Sequence, residues 1–228
     1  MPTPEQVYQQ ITKLTSDLVR LSLCDRQQFP SLRDLGQGIR EVGLMRVPRL
    51  SDALKNVPYV DIYRGLQSAN TYNMQMLDGA LIQMMYRFRH NRLETHRLAF
   101  FPSPFLEEFQ NNPTIYLEEE IFAEVVMKNI VPVPLRFDFD DREAHAVDVE
   151  HPKSHLTLGQ YKNCRIPVSA PLMPHHFMRF ILGSFYNTAS RRCCPQWAHF
   201  CDGFDLSITD RERDLLHIQV PGQSDDGA

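Results

Sequence analysis

Acidic side chains and histidines are concentrated between Arg136 and Arg165, and these residue types bind metals and carry protons. The first half of this stretch holds six acidic residues: Asp138, Asp140, Asp141, Glu143, Asp148 and Glu150. Carboxylate oxygens are the ligands that Mg²⁺ and Mn²⁺ prefer, and a metal-bound water is a good nucleophile toward phosphodiesters. The stretch therefore predicts a magnesium or manganese site, with Asp138, Asp140 and Asp148 as the ligands.

Three histidines fall in or just after the same span: His145, His151 and His155. Imidazole titrates near neutral pH, so His151 and His155 are candidate general bases or metal ligands, and Asp138 completes the predicted catalytic set. Residues 151–155 are typical of a tight turn, which would bring the two rings together. We also expect His155 to lie close to Asp138 or Asp148, with Arg165 nearby.

Residues 136–141 alternate in a way that sorts their side chains. On a strand, Phe137 and Phe139 point to one face, and Arg136, Asp138 and Asp140 point to the other. The pattern predicts a buried phenylalanine face opposite a polar face. A solvated acidic turn with a structural Arg136–Asp138 pair is the alternative interpretation.

Arginines supply candidate contacts to phosphate. Arg136 and Arg165 lie in the acidic stretch and suit bidentate phosphate binding. Arg87, Arg89 and Arg92 belong to a basic hairpin tip that also suits phosphates. A solvated tip, or a surface that forms salt bridges with an acidic partner, would explain the same residues.

The tetrad His155-Leu156-Thr157-Leu158 resembles half of the motif of the two-histidine phosphoesterases, which place two such tetrads face to face. The best second match is residues 217–220, where Gln219 replaces the required serine or threonine. A histidine that is hydrogen-bonded at the start of a strand is the alternative interpretation.

Other kinds of site have little support in the sequence. The five cysteines are odd in number and irregularly spaced, which argues against a disulfide framework. A zinc site from Cys193, Cys194, His199 and Cys201 is not expected, because adjacent cysteines lack the usual two-residue gap. The chain has no phosphate-binding glycine loop and no serine nucleophile elbow, so nucleotide hydrolysis and serine hydrolase chemistry are set aside.

The composition predicts an ordinary globular protein. The 228 residues are 43% hydrophobic and 23% charged, with a formal net charge of −4, so nucleic-acid binding requires a local basic patch or a partner's surface. We expect one domain over residues 1–220, with a helical or irregular part to residue 75, a sheet-containing core from residue 76, and a disordered tail over 221–228. The polar start and the lack of a long apolar run predict a cytoplasmic protein with reduced thiols and no membrane contact.

Local patterns predict an α+β fold, with a largely antiparallel sheet of hairpin-connected strands and packed helices. Thr3 and Gln6 form a capping box before an amphipathic N-terminal helix. Alternation from Leu81 predicts a hairpin that turns at residues 90–92, and short strands are expected within 129–140, 145–149, 155–158 and 164–168. Pro174 opens a helix, and residues 205–209 and 215–220 suit a closing hairpin. Short helices are also expected near residues 51–54, 105–109 and 117–126.

Residues 151–160, residues 164–169 and the helix from Phe177 to Tyr186 together resemble a bacterial family known only as domain of unknown function 2290. The run Arg136-Phe137-Asp138-Phe139-Asp140 is similar to the pattern of that family. Its members are found beside a helicase gene in loci that protect bacteria against phages. The resemblance implies a role in anti-phage defence with a helicase partner, and it implies no established activity.

Three functions are consistent with these residues. The first is a metal-dependent nuclease subunit that acts with the helicase on nucleic acid. The second is a non-enzymatic adaptor or sensor that docks on the helicase. The third is a toxin-like RNA phosphoesterase that uses His155 and Thr157.

Overall fold

A computed structural model describes residues 1–45, 57–105, 133–142, 147–161, 163–200 and 202–221. Within them one sheet collects the strands, and helices lie against it, so the predicted α+β class is confirmed. The strands are β1 (Cys24–Gln27), β2 (Ser31–Gly36), β3 (Ile39–Gly43), β4 (Met74–Met76), β5 (Leu81–Arg89), β6 (Arg92–Phe101), β7 (Leu135–Asp140), β8 (Ser154–Leu158) and β9 (Ile166–Pro167). The helices are α1 (Pro4–Arg20), α2 (Tyr59–Ser68), α3 (Pro174–Phe185), α4 (Asn187–Cys193) and α5 (Asp210–Arg213), and a 3₁₀ turn covers Cys194–Trp197.

The sheet order is β1-β4-β5-β6-β7-β8-β9, and each of these neighbours is antiparallel. The predicted β5–β6 hairpin forms the centre, and His90 and Asn91 at its turn have φ angles of 48° and 63°. Strands β3 and β4 pair with the same edge of β5, β4 at the start of β5 and β3 at its end. Strand β2 pairs with β3, so the β2–β3 hairpin extends the sheet there. This hairpin turns at Gly36-Gln37-Gly38, where all three φ angles are positive, which glycine adopts without strain.

Helices α1 and α3 cover one face of the sheet. Helix α1 begins with the predicted capping box of Thr3 and Gln6, and the residues of its apolar stripe from Val7 to Leu18 are buried. Phe137 and Phe139 on β7 are 2% and 7% exposed, as the alternation predicts. The buried residues that this face contributes include Tyr86, Phe88, Leu98, Phe100, Phe137 and Phe139. Met178 and Leu182 of α3 are buried, whereas Ser184 is exposed.

The opposite face is apolar at one end and polar beyond it. Helix α2 packs its Leu66 into a small cluster with Leu81, Ala99 and Phe101 at the apolar end. Further along the same face, Arg97 on β6 stands opposite Asp138 on β7. Because cross-strand neighbours share a face, the sheet itself collects the polar side chains of several strands there.

The predicted C-terminal hairpin is wrong. Residues 205–209 are irregular, and Thr209 caps the short helix α5 in a second capping box with Glu212. Ile218 then forms an isolated parallel bridge with Val168. The capping box explains the difference, because it satisfies the backbone N–H groups of Thr209 and Glu212 and so favours a helix start over a hairpin turn. The strand expected at residues 145–149 is likewise reduced, within the described residues, to a bridge between Val147 and His151.

Several predictions fall on residues outside the described ranges. These are the helices near residues 51–54 and 117–126, most of the helix at 105–109, and most of the tail at 221–228. The side chains of Cys193 and Cys201 also lie outside, while Cys24, Cys164 and Cys194 are free thiols. Among the residues that the structure describes, no helix is long and apolar enough to cross a membrane.

Candidate functional site

An arginine-rich cleft of about 610 Å³ runs over the polar face of the sheet. Six arginines line it: Arg33, Arg87, Arg97, Arg136, Arg142 and Arg165. Three carboxylates line it as well: Glu41, Asp138 and Asp140. Since the whole chain carries a formal charge of −4, this excess of cationic groups is a local feature, and it favours an anionic ligand.

Asp138 lines the cleft and binds two arginines. Arg97 Nε donates to its Oδ1 at 2.8 Å, and Arg136 Nε donates to its Oδ2. Burial would raise the pKa of Asp138, but the positive charges of Arg97 and Arg136 outweigh it and hold that pKa below its ordinary value. Asp138 is therefore an ionised anchor that fixes two guanidinium groups in the cleft.

His155 faces Asp138 from the neighbouring strand, and its side chain lines the cleft. The residue is 5% exposed, and its Nδ1 lies 2.8 Å from the carbonyl oxygen of Pro152. Burial lowers the pKa of His155, although the charge of Asp138 opposes this. A neutral ring whose Nδ1 donates to a carbonyl carries its lone pair on Nε2, and no described residue hydrogen-bonds that atom.

His151 lies beside His155, with the two ring centroids 5.2 Å apart. The two imidazoles therefore lie side by side as predicted, although the turn lies at residues 148–150 and β8 begins at Ser154. The backbone of His151 is held by its bridge to Val147. Its side chain lines both the arginine cleft and a second cavity of about 470 Å³. His151 thus borders both cavities, whereas His155 borders the arginine cleft alone.

Arg165 completes the group expected around His155. Its Nη1 makes one long contact, 3.5 Å, to the carbonyl oxygen of Glu150. Within the described ranges no carboxylate forms an ion pair with it, in contrast to Arg97 and Arg136. A guanidinium without a carboxylate partner is the one most available to an anionic ligand.

The other predicted phosphate contacts divide between two places. Arg87 lines the cleft and bonds Glu41 and Glu94, at 3.0 and 2.8 Å. Arg89 bonds Glu94 and is not among the residues lining the cleft. Arg92 lines the second cavity instead. The hairpin tip is therefore partly engaged in ion pairs rather than presented as a free basic surface.

The predicted metal ligands do not form one ligand set. Both carboxylate oxygens of Asp138 are bound by arginines, and Asp140 pairs with Arg142 at 2.6 Å. Asp148 lines the second cavity, where Thr209 Oγ1 donates to it at 2.6 Å. Over the described ranges no three histidine, cysteine or acidic side chains are grouped so that they could hold a metal ion. These residues do not fit magnesium or manganese, and we derive no chemistry through a metal.

Arg97, Arg33 and Arg142 are cleft residues that the sequence-based predictions do not include among the site residues. Arg97 lies on the predicted strand β6, so the sequence indicates which face of the sheet its side chain occupies. The sequence does not indicate its pairing with Asp138, because 41 residues separate the two. Arg142 follows the acidic run directly and is the one of the three with a local signal.

Comparison with known proteins places the chain in a family. Residues 23–220 match the sequence profile described as "Uncharacterized conserved protein (DUF2290)". The chain belongs to the DUF2290 family. The matched residues include every cleft residue named above, so the cleft of this DUF2290 chain lies within the family's shared region. No curated protein and no solved structure matched the chain.

Proposed function

We propose that this DUF2290 chain binds the phosphate backbone of a nucleic acid in the arginine cleft, and that it does so as a component of a bacterial anti-phage defence system acting with a helicase. The excess of arginines over carboxylates in the cleft carries the binding part of the proposal. The resemblance of residues 136–140 and 151–186 to proteins encoded beside helicases supports the defence part.

The cleft suits the sugar-phosphate backbone of a nucleic acid better than it suits a single phosphate. Its arginines come from β2, β5, β6 and β7 and from the segments that follow β7 and precede β9, so they are spread over several strands. Most contacts between proteins and nucleic acids are made to phosphate and sugar, and arginines fix the register of the bound strand. A row of fixed guanidinium groups therefore provides several phosphate positions along one path.

The ion pairs in the cleft make these positions stiff. Arg97 and Arg136 share Asp138, and Arg33 and Arg87 share Glu41. In each case one carboxylate orients two guanidinium groups. Asp138 neutralises only one of the two charges that it binds, whereas Arg87 is also paired with Glu94. The remaining positive charge is held in place, which lowers the entropy cost of binding a phosphate.

Fluorescence anisotropy with labelled single-stranded DNA, single-stranded RNA and duplex DNA tests the binding. Arg165→Glu should weaken binding by at least about tenfold and reduce the slope of log affinity against log salt by about 1. Arg191→Glu makes the same change of charge on the exposed face of α4, outside the cleft, and should bind as the unmodified protein does. Equal losses in the two variants, or no binding of any probe at low salt, would refute the proposed interface.

A further inference from the structure

We infer that the cleft cleaves RNA without a metal ion, with His155 as the proton acceptor and His151 as the proton donor in an attack by the 2′-hydroxyl on the neighbouring phosphorus. This inference rests on the proposed nucleic-acid cleft and names its substrate class. It is distinct from the metal-dependent chemistry predicted from the acidic residues, whose carboxylates bind arginines instead.

The position of His155 is the first observation behind it. The ring is almost fully buried, yet it lines the cleft, and its Nδ1 is fixed by the carbonyl oxygen of Pro152. That contact leaves Nε2 with the lone pair, without a hydrogen-bond partner in the described part of the chain. A buried and oriented imidazole ring whose second nitrogen is unpartnered and faces the cleft is the arrangement that general base catalysis requires.

The position of His151 is the second observation behind the inference. Its ring centroid is 5.2 Å from that of His155, so both rings reach the oxygens around one phosphorus atom. The residue is partly exposed at the junction of the two cavities, where water has access to it. A general acid that must be reprotonated after each turnover needs such access.

The arginines supply the third requirement, which is stabilisation of negative charge on phosphate. Arg165 has no described carboxylate partner, and Asp138 is bound by Arg97 and Arg136 together and so neutralises only one of those two charges. Cationic donors that are fixed before the reaction stabilise the charge that develops on the equatorial phosphate oxygens. RNA brings its own nucleophile, so this cleft needs no activated water.

The step balances as follows. His155 Nε2 takes the proton of the 2′-hydroxyl while the 2′-oxygen forms a bond to phosphorus. The bond between phosphorus and the 5′-oxygen breaks, and the leaving oxygen takes a proton from the protonated ring of His151. The products are a 2′,3′-cyclic phosphate and a 5′-hydroxyl. His155 ends protonated and His151 neutral, and exchange with water restores both.

A cleavage assay in EDTA tests the inference. The substrates are an end-labelled single-stranded RNA, the same sequence as DNA, and the same sequence as fully 2′-O-methylated RNA, each incubated with the chain alone and with the helicase from its locus. Of the three substrates, only the unmodified RNA should be cut, and its 5′ fragment should carry a 2′,3′-cyclic phosphate. His155→Asn and His151→Asn should each lower the rate by about 10² to 10⁴-fold.

The controls separate this inference from the proposed function. His199→Asn alters an exposed histidine outside the cleft and should cut at the unmodified rate, which also reports contaminating nucleases. Binding of the 2′-O-methylated RNA is measured in parallel for every variant. Binding without any cleavage, cleavage of DNA, or undiminished cleavage by His155→Asn would overturn the inference and leave the cleft standing. Failure of the unmodified protein to bind the 2′-O-methylated RNA would refute both.

Discussion

Asp138 on β7 stands directly opposite His155 on β8, and on its other side it receives the guanidinium of Arg97 from β6. One carboxylate thus lies between side chains of β6 and β8 on the polar face. The charge of Asp138 is used to hold arginines, while the histidine beside it stays neutral because it is buried. This division of roles determines what substitutions at the two positions should do.

Asp138→Asn should destabilise the fold. The change removes the charge that balances Arg97 and Arg136, and breaking a buried ion pair from one side is costly. Because the side chain of Asp138 keeps 13% exposure, we expect a loss of about 2 kcal/mol in the free energy of unfolding, below the full-burial range.

Urea denaturation followed by circular dichroism measures that loss. Asp141→Asn is the matched control, since the Asp141–Lys153 pair is 39% exposed on both sides and should contribute less than about 1 kcal/mol. Similar midpoints for the two variants would contradict the assigned role of Asp138. His155→Asn should unfold near the midpoint of the unmodified protein, because the ring gives up a single hydrogen bond to Pro152.

Phe137→Ala should destabilise the fold more than any change in the cleft. The ring is 2% exposed and packs edge-on against Phe177 and Phe180 of α3, with centroids 6.2 and 5.3 Å away. Truncation of such a core ring costs about 3–5 kcal/mol. Phe29→Ala removes the same ring from a position that is 52% exposed, and thermal melts of the two variants should differ clearly. A small shift for Phe137→Ala would mean that α3 does not pack on β7.

The burial of Phe137 could be predicted from the sequence, whereas the cleft could not. Alternation along one strand is local, so the face of each residue from Arg136 to Asp140 follows from a period of two. The partner of Asp138 depends instead on the register between β6 and β7, which no local pattern specifies. The acidic run resembles a metal site in the sequence, while in the fold Asp138 binds Arg97 of β6 and Arg136 of its own strand, and Asp140 binds Arg142.

Capping boxes begin helices near both ends of the described chain. Thr3 and Gln6 predict the start of α1, and Thr209 with Glu212 has the same spacing at the start of α5. The sequence does not indicate the β2–β3 hairpin, because the turn Gly36-Gln37-Gly38 joins strands with little apolar alternation. The contacts that position β3, along β5, are again long-range.

Stability should fall as the pH is lowered from about 6.5 to about 4. Burial lowers the pKa of His96 to about 4, of His175 to about 3 and of His176 to about 4, from an ordinary value of 6.5. Below pH 6.5 the unfolded chain binds protons that the folded chain does not, so unfolding is favoured until the pH reaches the folded pKa. For His96 the loss at pH 4 is about 3 kcal/mol.

Melting temperatures between pH 7 and pH 4 measure this dependence. Most carboxylates titrate lower, so the fall above pH 5 reports mainly the histidines. His175→Gln should reduce the slope, since it removes one of the buried rings that resist protonation. A melting temperature that stays constant from pH 7 to pH 5 would contradict the burial of these histidines.

Phage protection separates a nucleic-acid-binding cleft from an adaptor that only docks on the helicase. If the proposed function holds, cells that carry Arg165→Glu in the native locus should lose protection, while the variant protein still co-purifies with the helicase. The charge change lies in the cleft and has no described carboxylate partner to disturb, so the fold and a docking surface elsewhere should be kept. Arg191→Glu should protect fully, because it repeats the charge change outside the cleft.

Plaque counts, together with pull-down of the helicase, give the two readouts. Full protection by Arg165→Glu would favour the adaptor, and loss of the helicase from the pull-down would place the docking surface at the cleft itself.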